Sequence, residues 1–208
     1  MDKYKSIPNK VNTGNLPPTF PIDFGTSFAA GATHVSGCTL IYIVSRKSLN
    51  VGHYNQYVGG TCPLDTLAGT NKLIIEEWLE NHLTIIESPN RVPLECDDVW
   101  VFIAGSSDPS GPGVRRLLEW FEQWHFIPKE NIRYALYPYG SGNADQERFL
   151  TNPQGTSMVE WTSTDDRSGT IGVYFSSTSP RLWIEFRKDN YGTVQTAVSW
   201  GQVSRRRP

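Results

Sequence analysis

Apolar and polar positions along the chain predict paired strands first, then helices alternating with strands, then a run of short strands. Residues 38–44 (Cys-Thr-Leu-Ile-Tyr-Ile-Val) are almost continuously β-branched, aromatic or aliphatic. Such a run fits a strand buried on both faces. A second β-prone run occupies 51–58, and turn-formers with two basic residues fill 45–50, so the pair predicts a hairpin. In 71–87, Leu73, Ile74, Ile75, Trp78, Leu79, Leu83 and Ile86 fall on one helical face behind Thr70 as N-cap. The apolar run 98–104 predicts a central strand. Val114, Leu117, Leu118, Phe121 and Trp124 mark a second amphipathic helix that ends before Pro128, and 132–137 predicts a further strand.

Residues 20–28 are apolar but broken by Pro21 and Gly25, which fits an edge strand or an irregular lead-in. Beyond Gly140 the pattern shortens. One or two helical turns fit 145–150. Strands are expected at 158–162, 170–175, 182–187 and 193–200, separated by Gly, Ser, Asp and Pro, the signature of an antiparallel meander. The order of elements predicts an α+β domain, with mixed β-sheets forming a sandwich-like core flanked by two main helices. Residues 1–19 are polar, end in Pro17-Pro18, and read as a flexible N-terminal arm. Residues 20–208 then form one domain.

Composition changes this picture little. A chain of 208 residues can bury a core without metal or disulfide staples. A net charge of −2 gives no reason to expect nucleic acid or an anionic membrane as partner. Arg205-Arg206-Arg207 is the one basic cluster and reads as a solvated tail. No apolar run approaches the ~18–20 residues of a membrane span. The first five residues lack an apolar signal region, so the expected setting is the cytosol, or delivery by a route that needs no such signal. The three cysteines, Cys38, Cys62 and Cys96, are an odd set with no CxxC spacing, which argues against a disulfide framework. The four histidines show no metal-binding spacing, so neither metal nor other cofactor is expected.

Candidate chemistry concentrates in one phrase. Cys38 follows Ser36-Gly37 and opens a strand, and His53 lies in the next β-prone run. A thiol, a base and a mobile backbone able to supply amide donors are the minimum for thiolate catalysis. The imidazole would activate the thiol, the Gly37 and Cys38 amides would hold the oxyanion, and a third group would orient the ring. Asn55, Thr33 or a backbone carbonyl are the candidates for that third role. In a hairpin, Cys38 and His53 face each other directly only if the turn centres between Ser45 and Arg46. A later turn moves them apart by ~3.3 Å per residue of offset. The competing reading makes Cys38 a small buried strand residue and His53 an ordinary neighbour. His34, His82 and His125 read as surface, packed and helix-terminal residues. The loop 105–113 lacks the Gly-Lys-Ser/Thr of a phosphate-binding loop. The aromatic residues Tyr134, Tyr137, Tyr139, Trp161, Trp183 and Trp200 sit mostly at strand positions where core packing is expected, with the edge of a substrate groove as the alternative for some of them.

The segment Val35-Ser36-Gly37-Cys38-Thr39-Leu40-Ile41-Tyr42-Ile43-Val44-Ser45-Arg46-Lys47 resembles the nucleophile segment of the catalytic domain of cytotoxic necrotizing factor toxins. There a Ser-Gly-Cys-Thr phrase leads into an apolar strand ending in Arg-Lys, with a histidine at similar spacing. Those domains are glutamine deamidases acting on Rho-family GTPases. A Burkholderia lethal factor and the chemotaxis-receptor deamidases share the Cys–His layout and a related sandwich. The resemblance implies Cys38 as nucleophile, His53 as base, and Ser36 and Gly37 as nucleophile-loop positions. It covers about fifteen residues; the remainder is agreement in element order, an analogy of fold. In the chemotaxis and lethal-factor types a threonine six residues before the cysteine orients the histidine. Here that position is Ala32, with Thr33 one place on, which leaves the backbone carbonyl of the necrotizing-factor type as the other route.

The resemblance thus implies a protein-glutamine deamidase with a thioester intermediate and a transglutaminase side activity. Its substrate would be a protein with an exposed glutamine, such as a small GTPase, and its setting a toxin or effector delivered into a host cytosol. Two alternatives stand beside it: another thiol hydrolase (a cysteine protease or amidase), and a non-catalytic binding module built on the aromatic, β-rich C-terminal half.

Overall fold

The computed structural model describes residues 9–11, 18–32, 38–55, 99–106, 118, 127–137, 157–175, 179–201 and 204–205, with the backbone alone at Cys38, Tyr54, Asn55, Ser106, Tyr137, Ser204 and Arg205. Twelve strands are present among them. They are β1 (Asn9–Lys10), β2 (Thr19–Pro21), β3 (Phe28–Ala32), β4 (Cys38–Val44), β5 (Ser48–Asn55), β6 (Trp100–Ser106), β7 (Ile132–Tyr137), β8 (Ser157–Ser163), β9 (Ser168–Phe175), β10 (Pro180–Lys188), β11 (Val194–Trp200) and β12 (Ser204–Arg205). A 3-10 turn at Lys129–Asn131 leads into β7. One sheet has the order β1-β3-β8-β9-β10-β11 and the other β12-β7-β6-β4-β5-β2.

This corrects the expected α+β class. The described residues are mostly strand, in two mixed sheets with almost no helix, so the fold is not α+β with two main helices. The expected helix at 71–87 lies outside the described residues, as does that at 114–124 except for Leu118, which is helical and buried. The physical reason is pairing over distance. Helical periodicity is a local signal, whereas parallel β6–β7 and β1–β3 pairs join segments that no local pattern links. The meander is present: β8, β9, β10 and β11 are consecutive antiparallel neighbours. Pro21, which cannot donate to a ladder, sits in β2 at a sheet edge. Within 1–19, expected as an arm, β1 pairs with β3 and Val11 is buried.

One apolar core lies between the two sheets. Leu40, Tyr42, Val44, Leu49, Val51, Trp100 and Phe102 come from one sheet and Val159, Trp161, Ile171, Val173, Ile184 and Phe186 from the other. The alternation is strict along β4: Leu40, Tyr42 and Val44 face this core, while Ile41 and Ile43 are buried on the opposite face. Trp161 anchors the centre, edge-to-face with Phe24 and Phe186 at 5.7 and 5.9 Å. Its indole N–H donates to the Asp23 carbonyl at 3.1 Å, which satisfies the polar end of a fully buried ring. Tyr42 Oη and Ser157 Oγ share a hydrogen bond between the sheets, and Ser157 Oγ also donates to the Tyr174 carbonyl at 2.9 Å. Arg133 of β7 lies 5.1 Å over the Trp200 ring of β11, a further bridge at the far side.

Candidate active site

The site begins with a tight turn. Ser45 Oγ accepts from the backbone N–H groups of Lys47 and Ser48, each at 3.1 Å, and the Ser45 N–H donates to the Ser48 carbonyl at 2.9 Å. A serine hydroxyl that captures nearby backbone amides fixes a turn locally. The turn therefore closes at Ser45–Ser48, earlier than the 45–50 span of turn-formers suggests, and Leu49 and Asn50 join β5.

The turn sets the register. Cys38 faces Asn55, and His53 faces Leu40. Cys38 and His53 are thus offset by two positions, which is an even number. Side chains alternate along a strand, so Cys38 and Leu40 share a face, and opposed residues share it too. Cys38 and His53 are diagonal neighbours on the core-facing side of the ladder, a relationship that spans about 7–8 Å between backbones. A direct opposition is replaced by a diagonal one, and the pair stays on one face.

Hydrogen-bond phase adds a second detail. The Val51 N–H donates to the Pro18 carbonyl at 3.1 Å, away from β4. Val51 and Tyr42 are therefore a non-hydrogen-bonded pair, and so by alternation are His53–Leu40 and Cys38–Asn55. The Cys38 N–H is consequently directed to the β6 side, and the β4–β6 ladder has its last pair at Leu40–Ala104. The Cys38 amide lies two residues past that pair.

His53 is 7% exposed. Its Nδ1 is 2.9 Å from the Val11 carbonyl oxygen. A carbonyl can only accept, so Nδ1 carries the proton and Nε2 carries the lone pair. Nε2 is buried and has no hydrogen-bond partner among the described residues. Burial pushes the imidazole below its ordinary pKa, and the Val11 hydrogen bond raises it by less. Burial thus favours a neutral ring and the Val11 contact one tautomer of it, with its basic nitrogen unengaged by any of the described residues. Val11 is itself fixed, because its N–H donates to the Gly31 carbonyl of β3 at 2.8 Å.

Of the residues singled out from sequence, Cys38, His53 and Asn55 come together on one hairpin face. Thr33, Ser36 and Gly37 lie outside the described residues. The orienting partner of His53 is the Val11 backbone carbonyl. Sequence reasoning allowed for such a carbonyl but had no means to assign it, since a main-chain acceptor leaves no side-chain signature. Trp161 is core, as expected. A shallow cleft bounded by Arg167, Ser168, Glu185 and Arg187 opens elsewhere and includes neither Cys38 nor His53. Among the described residues no three His, Cys, Asp or Glu side chains gather to hold a metal, and no helix is long and apolar enough to cross a membrane.

Comparison of the chain with known protein families, curated proteins and solved structures finds no match.

Proposed function

We propose that the protein is a Cys–His glutamine deamidase acting on a protein substrate, in the manner of a toxin or effector catalytic domain directed at a Rho-family GTPase. One observation carries the reading: a buried histidine whose Nδ1 is tied to a backbone carbonyl, and whose Nε2, without a partner among the described residues, belongs to a ring diagonal to Cys38 on the same sheet face. A buried polar atom without a partner costs stability, on the order of 1–3 kcal/mol, and such a cost is commonly retained where the atom is used.

In the proposed reaction, Nε2 takes the thiol proton and the Cys38 sulfur attacks the γ-carboxamide carbon. The oxyanion accepts from the Cys38 N–H and from the Gly37 amide of the nucleophile loop. His53 returns the proton to the leaving nitrogen, the C–N bond breaks, and ammonia departs from a γ-glutamyl thioester. Nε2 then deprotonates water, the hydroxide attacks the thioester, and the C–S bond breaks to give glutamate and the free thiol. An amine in place of water gives transglutamination. The change turns a neutral donor–acceptor side chain into an anion that only accepts, enough to disable a glutamine that positions a catalytic water.

The test is the intact mass of a purified Rho-family GTPase after incubation with the protein. The expected product gains the mass difference between OH and NH2, mapped to one glutamine, and Cys38→Ser and His53→Ala give none. New peptide fragments in place of that gain would identify a protease and overturn the deamidase reading. So would full activity in Cys38→Ala.

A further inference from the structure

We infer that β11 is the interface of a two-fold homodimer, in which the strand pairs antiparallel with its own copy about Ala197; the inference is independent of the deamidase reading. Among the described residues no strand lies beyond β11, the last member of the order β1-β3-β8-β9-β10-β11. Its pairing with β10 runs unbroken from Leu182 opposite Trp200 to Lys188 opposite Val194, without a bulge. The strand carries no charge and no proline. Bulges, charges and prolines are the devices that ordinarily keep an edge from pairing. The core is also open on this side. Leu182, Ile184 and Phe186 of β10 are buried, yet Val194, Val198 and Trp200, which pack against the same core, remain partly exposed.

Ladder phase fixes which backbone groups face outward. At one end the Lys188 N–H donates away from β11, to the Arg167 carbonyl at 2.7 Å. At the other the Gly201 N–H donates toward β10, to the Arg181 carbonyl at 3.0 Å. By alternation the backbone groups of Gln195, Ala197 and Ser199 bond β10, and those of Val194, Thr196, Val198 and Trp200 point outward. The Arg46 guanidinium agrees, since its Nη1 reaches the Val194 carbonyl at 3.1 Å from the hairpin turn of the facing sheet.

Self-complementarity selects a second copy of this chain as the occupant. With the two-fold axis at Ala197, Thr196 stands opposite the partner's Val198, and Val194 opposite the partner's Trp200. Each outward N–H then meets an outward carbonyl, and every outward residue of the strand is used. An axis one residue earlier leaves Trp200 without an opposite residue on the strand, and one residue later leaves Val194 without one. Ala197 faces itself in a non-hydrogen-bonded pair, where Cα atoms approach to about 4.5 Å and a small side chain fits. The side chains match face by face. On the outer face exposed Gln195 meets the partner's Ser199, polar on polar. On the core face Val194, Val198 and Trp200 continue one apolar layer across the axis. A single edge pair of this length buries less than a standard interface, so the dimer is a weak one that dissociates on dilution.

The test is sedimentation equilibrium of the full chain from micromolar to near-millimolar concentration, with substitutions along β11. Wild type is expected to show a reversible monomer–dimer equilibrium. Ala197→Cys should link to its own copy under mild oxidation, a bond mapped by peptide mass, because the new cysteine faces itself at disulfide distance. Gln195→Cys and Ser199→Cys, which face each other's positions and not their own, should link at least about tenfold more slowly. Ala197→Lys sets like charges opposite one another at an exposed position, and should weaken the dimer by about fivefold or more with far-UV circular dichroism unchanged. A wild-type chain that stays monomeric throughout overturns the inference and leaves the edge to an extended peptide of another protein. A dimer that Ala197→Lys leaves intact overturns it as well, as does equal linking at all three cysteine positions.

Discussion

The carbonyl oxygen of Val11 and Nδ1 of His53 stand 2.9 Å apart, and this one contact joins the edge of one sheet to the centre of the proposed chemistry. Val11 belongs to a segment that pairs with β3, whereas His53 lies on β5 of the facing sheet. Removing residues 1–11 deletes the acceptor but no part of the Cys–His hairpin. The expected outcome is a tenfold or greater fall in the alkylation rate of Cys38 by iodoacetamide at neutral pH, because a ring free to rotate or change tautomer is a poorer base. Far-UV circular dichroism should keep its strand signal. An unchanged alkylation rate would show that the carbonyl does not hold the ring in its working orientation.

Register can be read by cross-linking. Asn55→Cys places a second thiol directly opposite Cys38 in a non-hydrogen-bonded pair, where the separation suits a disulfide. Mild oxidation should link Cys38 to the new cysteine in nearly all molecules. His53→Cys, at the diagonal position, should not link to Cys38 under the same conditions. The opposite preference would place the hairpin turn one residue earlier and make the Cys–His pair a direct opposition.

The lowered pKa of His53 has a consequence for stability. The folded value lies below the unfolded value of about 6.5, so the unfolded chain binds more protons wherever the two differ. This histidine's contribution is therefore full above about pH 6.5 and is lost as pH falls from there through the folded value. Urea denaturation between pH 8 and pH 5 should show wild type losing stability over the lower part of that range. His53→Gln, which cannot take up a proton there, should lose less. Parallel slopes for the two proteins would mean that His53 is not buried in solution.

Gly31 is predicted to be intolerant of any side chain. A Cβ at this position would meet the Ser157 carbonyl oxygen and come within 2.9 Å of Met158 Cα, both backbone atoms of the paired strand. Backbone cannot rotate away as a side chain can, so β3 and β8 would have to separate. Gly31→Ala should cost at least about 2–3 kcal/mol in urea unfolding. Because the Gly31 carbonyl also holds Val11, the variant should lose Cys38 reactivity beyond what its stability explains. A melting temperature within a degree or two of wild type would contradict the close approach.

Much of the sheet was legible because its signals are local. The bounds of β4 and β7 match the expected 38–44 and 132–137, since β-branched, aromatic and aliphatic residues between turn signals announce a strand without reference to partners. The four late strands were marked by their short, regular spacing between Gly, Ser, Asp and Pro. The hairpin register stayed open from sequence because turn-formers extend to Asn50, while the deciding group is the single hydroxyl of Ser45. The class is corrected because the described residues are mostly strand in two mixed sheets, joined in part by long-range parallel pairs that no local pattern announces. The candidate thiol, base and neighbouring amide were legible as side chains, and Val11 was not, because what it contributes is a carbonyl that every residue possesses.

Val11 also imposes an order of events. Cys38 and His53 share one hairpin, which can form early and locally. The acceptor for the ring lies 42 residues from His53 and is put in place only when the opposite sheet has gathered β1 onto β3. Under the proposed function, a half-assembled chain thus carries Cys38 and His53 on one hairpin without the contact that would orient the ring. On refolding from urea, Cys38 alkylation should accelerate only after the strand signal has recovered. On that reading reactivity would serve as a proofreading mark of completed assembly, and a polypeptide still refolding would carry an ordinary cysteine.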